Sequence, residues 1–351
     1  MTMSEENKKY TPISELGEFG LIHRLSGKIE LHRESTLKGI GDDAAVIAPP
    51  GKDEVILLST DMMAEGIHFD LAYTPLRHLG YKAVAVNVSD ICAMNGEATQ
   101  FLVSIALSNQ YSVETIEEIY EGMRFACKEY NVDLVGGNTS SSRSGLIISI
   151  SIIGKGRKDN IAYRNGAKAG DLLCVTGDLG AAYAGLFLLE KGKKDFALNP
   201  SVKPDLKGYN HILQRQLMPH ARMDVINMFA DSGVKPSAMI DVSDGLSSEI
   251  NHLCEDSVAG CLLDEDKIPI HEETIKVAHG AEVSPTLFAL NGGEDYQLLF
   301  TLPPAEFKKL KDTSDITVIG EILPPADGIK LAGKDGNIHE LTAKGWDGLK
   351  K

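Results

Sequence analysis

The chain has 351 residues, more than one hydrophobic core normally organises, so two domains are expected. Its formal net charge of -15 weighs against nucleic acid or an anionic membrane as partner, but not against a phosphate substrate whose charge a bound cation balances. Met1–Tyr10 is polar and lacks the apolar stretch of a signal peptide, and no run is long enough to span a bilayer. The five cysteines are odd in number and include no Cys-x-x-Cys pair; they read as reduced, buried thiols of a cytoplasmic protein.

In chain order, apolar residues at helical spacing predict a helix over 13–25, followed by strands over 39–48 and 54–61. A helix over 76–94 has a face of Ala and Val interrupted by Asn87, Ser89 and Asp90. A strand over 101–107 and an amphipathic helix over 113–130 come next. A short strand over 132–135 runs into a Gly136-Gly137-Asn138-Thr139 loop, and an apolar strand covers 146–154. A Gly- and charge-rich joint at 156–160 divides the chain into domains 1–156 and 157–351. The second half begins with a strand over 171–176, the turn Gly177-Asp178-Leu179-Gly180 and a helix through Leu189. Residues 190–209, rich in Lys, Gly and Pro, read as a loop, and 211–229 as a helix interrupted at Pro219. Strands over 238–241, 259–263, 297–301 and 316–319 and helices over 245–254 and 304–311 complete the reading.

Acidic and small polar residues gather at five places: Gly41-Asp42-Asp43, Ser59-Thr60-Asp61, Asn87-Val88-Ser89-Asp90, Asp241-Val242-Ser243-Asp244-Gly245 and Gly292-Gly293-Glu294-Asp295. Each borders an apolar run or interrupts an apolar face. Taken singly, each is as well explained by a turn or a helix cap. Asp90, however, sits among Val86, Val88, Ile91 and Met94 with few basic residues nearby, and a buried carboxylate needs a partner. Hard oxygen donors without His or Cys suit magnesium. Val88-Ser89-Asp90 is echoed by Val242-Ser243-Asp244. The stretch Gly136–Ser142 reads either as a phosphate cradle of backbone N–H groups and hydroxyls or as an ordinary polar loop. No Gly-x-x-x-x-Gly-Lys-[Ser/Thr] loop and no protein-kinase motif set is present. His68 and Arg164 have the chemistry to touch a phosphate, and Trp346, the single tryptophan, to stack on a cationic ring or fill a core.

Gly-Ile-Gly-Asp-Asp-Ala-Ala-Val, Ser-Thr-Asp, Gly-Ile-His-Phe, Asn-Val-Ser-Asp, Asp-Val-Ser-Asp-Gly-Leu and Asn-Gly-Gly-Glu-Asp-Tyr, in this order, resemble the bacterial thiamine-monophosphate kinases. These belong to the ATP-binding superfamily of aminoimidazole ribonucleotide synthetase, selenophosphate synthetase and the hydrogenase-maturation carbamoyl dehydratase. The resemblance runs from about Gly17 to Trp346. It implies an N-terminal α/β domain whose mixed sheet pairs across a homodimer two-fold, and a C-terminal α+β domain with a helix-covered sheet, with ATP between them. It implies direct transfer of the γ-phosphoryl group of ATP to thiamine monophosphate, assisted by several magnesium ions, with no residue acting as acid or base. By motif position, the implied magnesium ligands are Asp43, Ser59, Thr60, Asp61, Asp90, Asp241 and Asp244. Tyr120, Gly137, Arg164 and Ser243 are implied to face ATP, and His68, Glu294 and Trp346 to face thiamine monophosphate. One position departs from the pattern: Asn138 stands where the family has Asp. It keeps a carbonyl oxygen for metal and nucleotide but loses the charge, so weaker magnesium binding is expected. Another ATP-using member of the superfamily is the nearest alternative. Against it, the chain has no N-terminal nucleophilic Cys loop and ends Gly348-Leu349-Lys350-Lys351 without a terminal cysteine. A non-catalytic nucleotide-binding protein is favoured only by Asn138.

Overall fold

The computed structural model describes residues 24, 25, 27–38, 46–47, 53–201, 204–310 and 312–342. Nearly all of the expected 13–25 helix, most of the 39–48 strand, and with them Asp43 and Trp346, lie outside the described residues. The chain divides into two units, one of residues 1–49, 60–84 and 99–152, the other of 50–59, 85–98 and 153–351.

In the first half of the chain, β1 (Thr36–Lys38) and β2 (Val46–Ile47) pair antiparallel. Then come β3 (Glu54–Ala64), α1 (Leu76–Ala93), β4 (Glu97–Leu107), α2 (Val113–Tyr130), β5 (Asp133–Ser141) and β6 (Ile147–Arg157). Their strands form a four-stranded sheet in the order β3-β6-β4-β5, with β4 and β5 parallel. The α2 helix has the bounds its periodicity predicts. Ser112 caps its first turn by accepting the Thr115 N–H at 3.3 Å, and Asn131 ends it in the left-handed region. Its buried stripe is Val113, Ile116, Ile119, Tyr120, Met123, Cys127 and Tyr130.

Two glycines let α1 and α2 approach at backbone distance. A Cβ on Gly80 would lie 1.8 Å from the Ile119 carbonyl oxygen, and one on Gly122 1.9 Å from that of Arg77. The expected Gly136–Thr139 loop is instead the middle of β5, hydrogen-bonded to β4. Gly137 is there because of that pairing: a Cβ would lie 1.8 Å from the Val103 oxygen of β4. The glycines answer to a neighbouring strand, so this stretch is a strand rather than a loop.

The second half contains β7 (Leu172–Thr176), α3 (Ala181–Leu198), α4 (Asn210–Leu217), α5 (Met223–Ser232), β8 (Ala238–Asp241), α6 (Leu246–Ser257) and β9 (Gly260–Asp264). It continues with α7 (Glu272–Gly280), α8 (Pro285–Asn291), β10 (Leu298–Leu302), α9 (Pro304–Phe307), β11 (Ile316–Leu323), β12 (Ile329–Ala332) and β13 (Ile338–Glu340). The seven strands form one mixed sheet, β13-β12-β9-β11-β7-β10-β8, antiparallel except between β9 and β12. Leu173, Val175, Ile240, Leu263, Leu299 and Ile319 from the sheet and Leu246, Ile250 and Leu253 from α6 share one core. A second cluster joins α3, α4, α7 and α8 through Ala181, Ala184, Ile212, Val277 and Phe288. This is the α+β arrangement that the resemblance implies. The break near Pro219 occurs as expected, between α4 and α5. The loop expected from residue 190 begins only after Leu198, because α3 carries on through the Lys-Gly-Lys-Lys stretch. All five cysteines are free and buried, in agreement with the reading as reduced thiols. Among the described residues no helix is long and apolar enough to cross a membrane.

Candidate phosphoryl-transfer site

The second unit assembles most of the acidic positions. Helix α1 is buried almost all round, so its polar residues must find partners. Ser89, fully buried, donates to Asp241 Oδ2 at 2.6 Å. Asp90, next in the same turn, accepts from Ser59 Oγ of β3 at 2.5 Å. Three segments distant in sequence, 59, 89–90 and 241, therefore meet. Burial pushes the Asp90 carboxyl above the usual carboxylate range, opposed by the Ser59 hydroxyl and the charge of Arg164.

Asp241 ends β8, the edge strand, and the turn Val242-Ser243-Asp244-Gly245 leads into α6. A second turn, Asn291–Tyr296, leads into β10 and is laced to the first by backbone. Ser243 O accepts the Glu294 N–H at 2.7 Å and Val242 O the Tyr296 N–H at 2.8 Å. Glu294 and Tyr296 have φ of 58° and 50°, conformations that side chains other than glycine adopt at a cost of roughly 1 kcal/mol or more each.

Two residues of this region escape the sequence reading, and a third, Asp295, takes a role that the reading of its acidic motif did not foresee. Glu249, in the first turn of α6, accepts the N–H groups of Ser243 at 3.0 Å and Asp244 at 2.7 Å through Oε1. Burial pushes its carboxyl up to about 8, with Asp244 and Asp241 adding to the rise and the bond from the Asp244 N–H opposing it. Gln216 of α4 donates to Glu294 Oε2 at 2.9 Å. Asp295, fully buried, accepts the Gly180 and Ala182 N–H groups at 2.6 and 3.1 Å and so caps α3 from far along the chain. The one local signal is an acid in the first helical turn after Asp244-Gly245, which reads as a cap that reaches back.

Burial raises the Asp295 carboxyl to about 6, against an ordinary 3.8. Between these values the folded protein holds more protons than the unfolded chain, so stability falls as pH rises. The expected loss from about pH 4 to about pH 6 is at most about 3 kcal/mol. The wild-type protein and Asp295→Asn, compared by urea unfolding across this window, should differ in slope, the variant being flatter; parallel curves contradict the assignment.

In the first unit, Thr60 Oγ1 donates to the Ile150 carbonyl at 2.9 Å and lies 3.1 Å from Ser151 Oγ. Asp61 is exposed on β3. His68 Nδ1 accepts the Ala64 N–H at 3.0 Å, which leaves Nε2 as the ring position that carries the proton. Gly137 and Asn138 are exposed on β5. Tyr120 is buried in α2, its hydroxyl pushed up to about 12 by burial.

Among the described residues no three His, Cys, Asp or Glu side chains form a ready-made metal cage. Magnesium does not require one, since it keeps waters and is held by one or two carboxylates together with substrate phosphates. Paired hydroxyl and carboxylate oxygens at Ser59–Asp90 and Ser89–Asp241 fit that chemistry.

Fold and site define the class first. Residues 41–155 match the family model "AIR synthase related protein, N-terminal domain" and 168–329 match "AIR synthase related protein, C-terminal domain". A Bacillus subtilis (strain 168) relative named thiamine-monophosphate kinase is 35% identical over 95% of this chain and 100% of its own length. A solved structure of AaThiL complexed with AMPPCP and TMP is 32% identical, with a TM-score of 0.74 over 99% of this chain and 100% of that one. The hydrogenase maturation protein HypE in complex with ATP superposes with a TM-score of 0.72 over 92% of this chain and 94% of that one, but at 18% identity the likeness is one of fold alone. The chain belongs to the thiamine-monophosphate kinase family.

Proposed function

We propose that the protein phosphorylates thiamine monophosphate with ATP, giving thiamine diphosphate and ADP. The observation that carries this reading is the meeting of Ser59, Ser89, Asp90 and Asp241, in a chain whose relative binds AMPPCP and TMP. An oxygen of the acceptor phosphate forms a bond to the γ-phosphorus as the bond from that phosphorus to the β-phosphate oxygen breaks. The acceptor oxygen is already ionised at neutral pH, so no strong base is needed. What the protein must supply is positioning and neutralisation of charge.

Asp43, Ser59, Thr60, Asp61, Asp90, Asn138, Asp241 and Asp244 are the residues that would hold magnesium, which when bound lowers the negative charge of the phosphates. Ser243, Gly137, Asn138, Arg164 and Tyr120 would face ATP; His68, Glu294 and Trp346 would face thiamine monophosphate. With Nδ1 engaged by Ala64, His68 offers its Nε2–H as a donor. Glu294 places a carboxylate where a thiazolium cation would be welcome. The chain would comprise an N-terminal domain of 1–156 and a C-terminal domain of 157–351. A homodimer is supported by β3, an edge strand that exposes Ile56, Leu58 and Met62 at 54%, 75% and 57%. A cytoplasmic location fits buried free thiols.

Incubation with ATP, magnesium and thiamine monophosphate, followed by chromatography of the products, tests the reading. Thiamine diphosphate and ADP in equal amounts are expected; nucleotide binding without turnover at high magnesium would leave a binding protein. In the same assay Asn138→Asp is expected to shift the magnesium activation curve several-fold to lower concentration, because it restores a charged donor. An unchanged curve removes Asn138 from the metal site.

A further inference from the structure

We propose that Glu249 is a positioning residue that sets both substrates at once through the turn after β8; this rests on the reading above that Ser243 faces ATP, Asp244 magnesium and Glu294 thiamine monophosphate. Glu249 is 1% exposed. Its Oε1 takes both successive N–H groups of the turn, Ser243 at 3.0 Å and Asp244 at 2.7 Å, and the Ser243 hydroxyl at 3.4 Å. Its Oε2 is buried without a hydrogen-bond partner among the described residues. Those two N–H groups are thereby committed to Glu249, and the peptide planes around Ser243 are fixed. The outward consequence lies on the opposite side of the turn. Ser243 O holds the Glu294 N–H at 2.7 Å, and Glu294 stands in the left-handed region, where it stays only while its surroundings hold it. One buried carboxylate therefore supports the nucleotide-facing and the acceptor-facing turn together. A buried acid beside two further acids is a costly way to hold a turn, and fixing the geometry of a site is a use that such a cost can serve.

Initial rates against ATP and against thiamine monophosphate, with thermal unfolding in parallel, test the proposal in the full-length protein. Glu249→Ala is expected to raise the KM of both substrates roughly tenfold. Glu249→Gln keeps an oxygen for the two N–H groups and should return both KM values to within about threefold of wild type. If the alanine variant does not fold, Glu249→Asp, whose carboxylate is withdrawn by one methylene, takes its place with the same expected rise. A lower kcat with both KM values unchanged, or a rise for ATP alone, overturns the proposal. Ser243→Ala and Glu294→Gln separate it from the reading beneath it. If each raises a substrate KM while Glu249→Ala raises neither, only the role of Glu249 fails. If neither of them moves any KM, the assignment of the two turns to the substrates fails, and the role of Glu249 with it.

Discussion

Replacing Asp241 by Asn is expected to lower kcat/KM by at least about 100-fold while leaving the protein as stable as before or more so. The two effects point in opposite directions because Asp241 does opposite things in fold and function. As a fold element it is a buried carboxylate at the end of β8, held by the Ser89 hydroxyl at 2.6 Å and close enough to Glu249 to help push that acid's proton affinity up. An amide of the same shape still accepts from Ser89 and ends the repulsion. As a site element it would, on the proposed reading, offer charge to a magnesium–nucleotide complex, which an amide oxygen would do only weakly. Steady-state rates at saturating magnesium and a urea melt of the same preparation check both halves. Activity lost in step with stability would make Asp241 a structural residue and remove it from the site.

The second large effect belongs to the fold. Gly122→Ala places a methyl group where the Arg77 carbonyl oxygen stands 1.9 Å away, so α1 and α2 must move apart. Alanine favours helix more than glycine does, by about 1 kcal/mol. Against that gain stands overpacking at a backbone contact, where no rotamer change relieves the strain. The net expectation is a loss of about 3 kcal/mol in unfolding free energy, read from the urea midpoint. A midpoint at or above wild type would mean that the helices separate at no cost.

What the sequence makes legible is governed by how local each cause is. The α2 helix could be read to the residue because its cap, its apolar stripe and its terminating Asn131 all lie within the segment. The meeting of Ser59, Asp90 and Asp241 could be anticipated because carboxylates among Val and Ile need company. The strand through Gly136-Gly137-Asn138-Thr139 could not: glycine reads as a turn residue, and the reason for Gly137 is the Val103 oxygen on another strand. The continuation of α3 past Leu189 was hidden in the same way. Its Lys- and Gly-rich stretch looks like a loop, yet Gly192 is the small residue that packs against Pro204. Glu249 and Gln216 were missed because their partners are backbone groups and side chains of other turns, which no periodicity records. Helix α8 carried a readable signal, Ser284 followed by Pro285 at the first helical position.

The cap that Asp295 places on α3 has a bearing on how the chain is made. Gly180 leaves the ribosome 115 residues ahead of the carboxylate that will receive its N–H. At typical elongation rates of about 5–20 residues per second, that is an interval of roughly 6–23 s. Throughout it the start of the helix waits in the nascent polypeptide with its first amides unmet by that acid, and only translation through the last third of the message supplies the group that secures them.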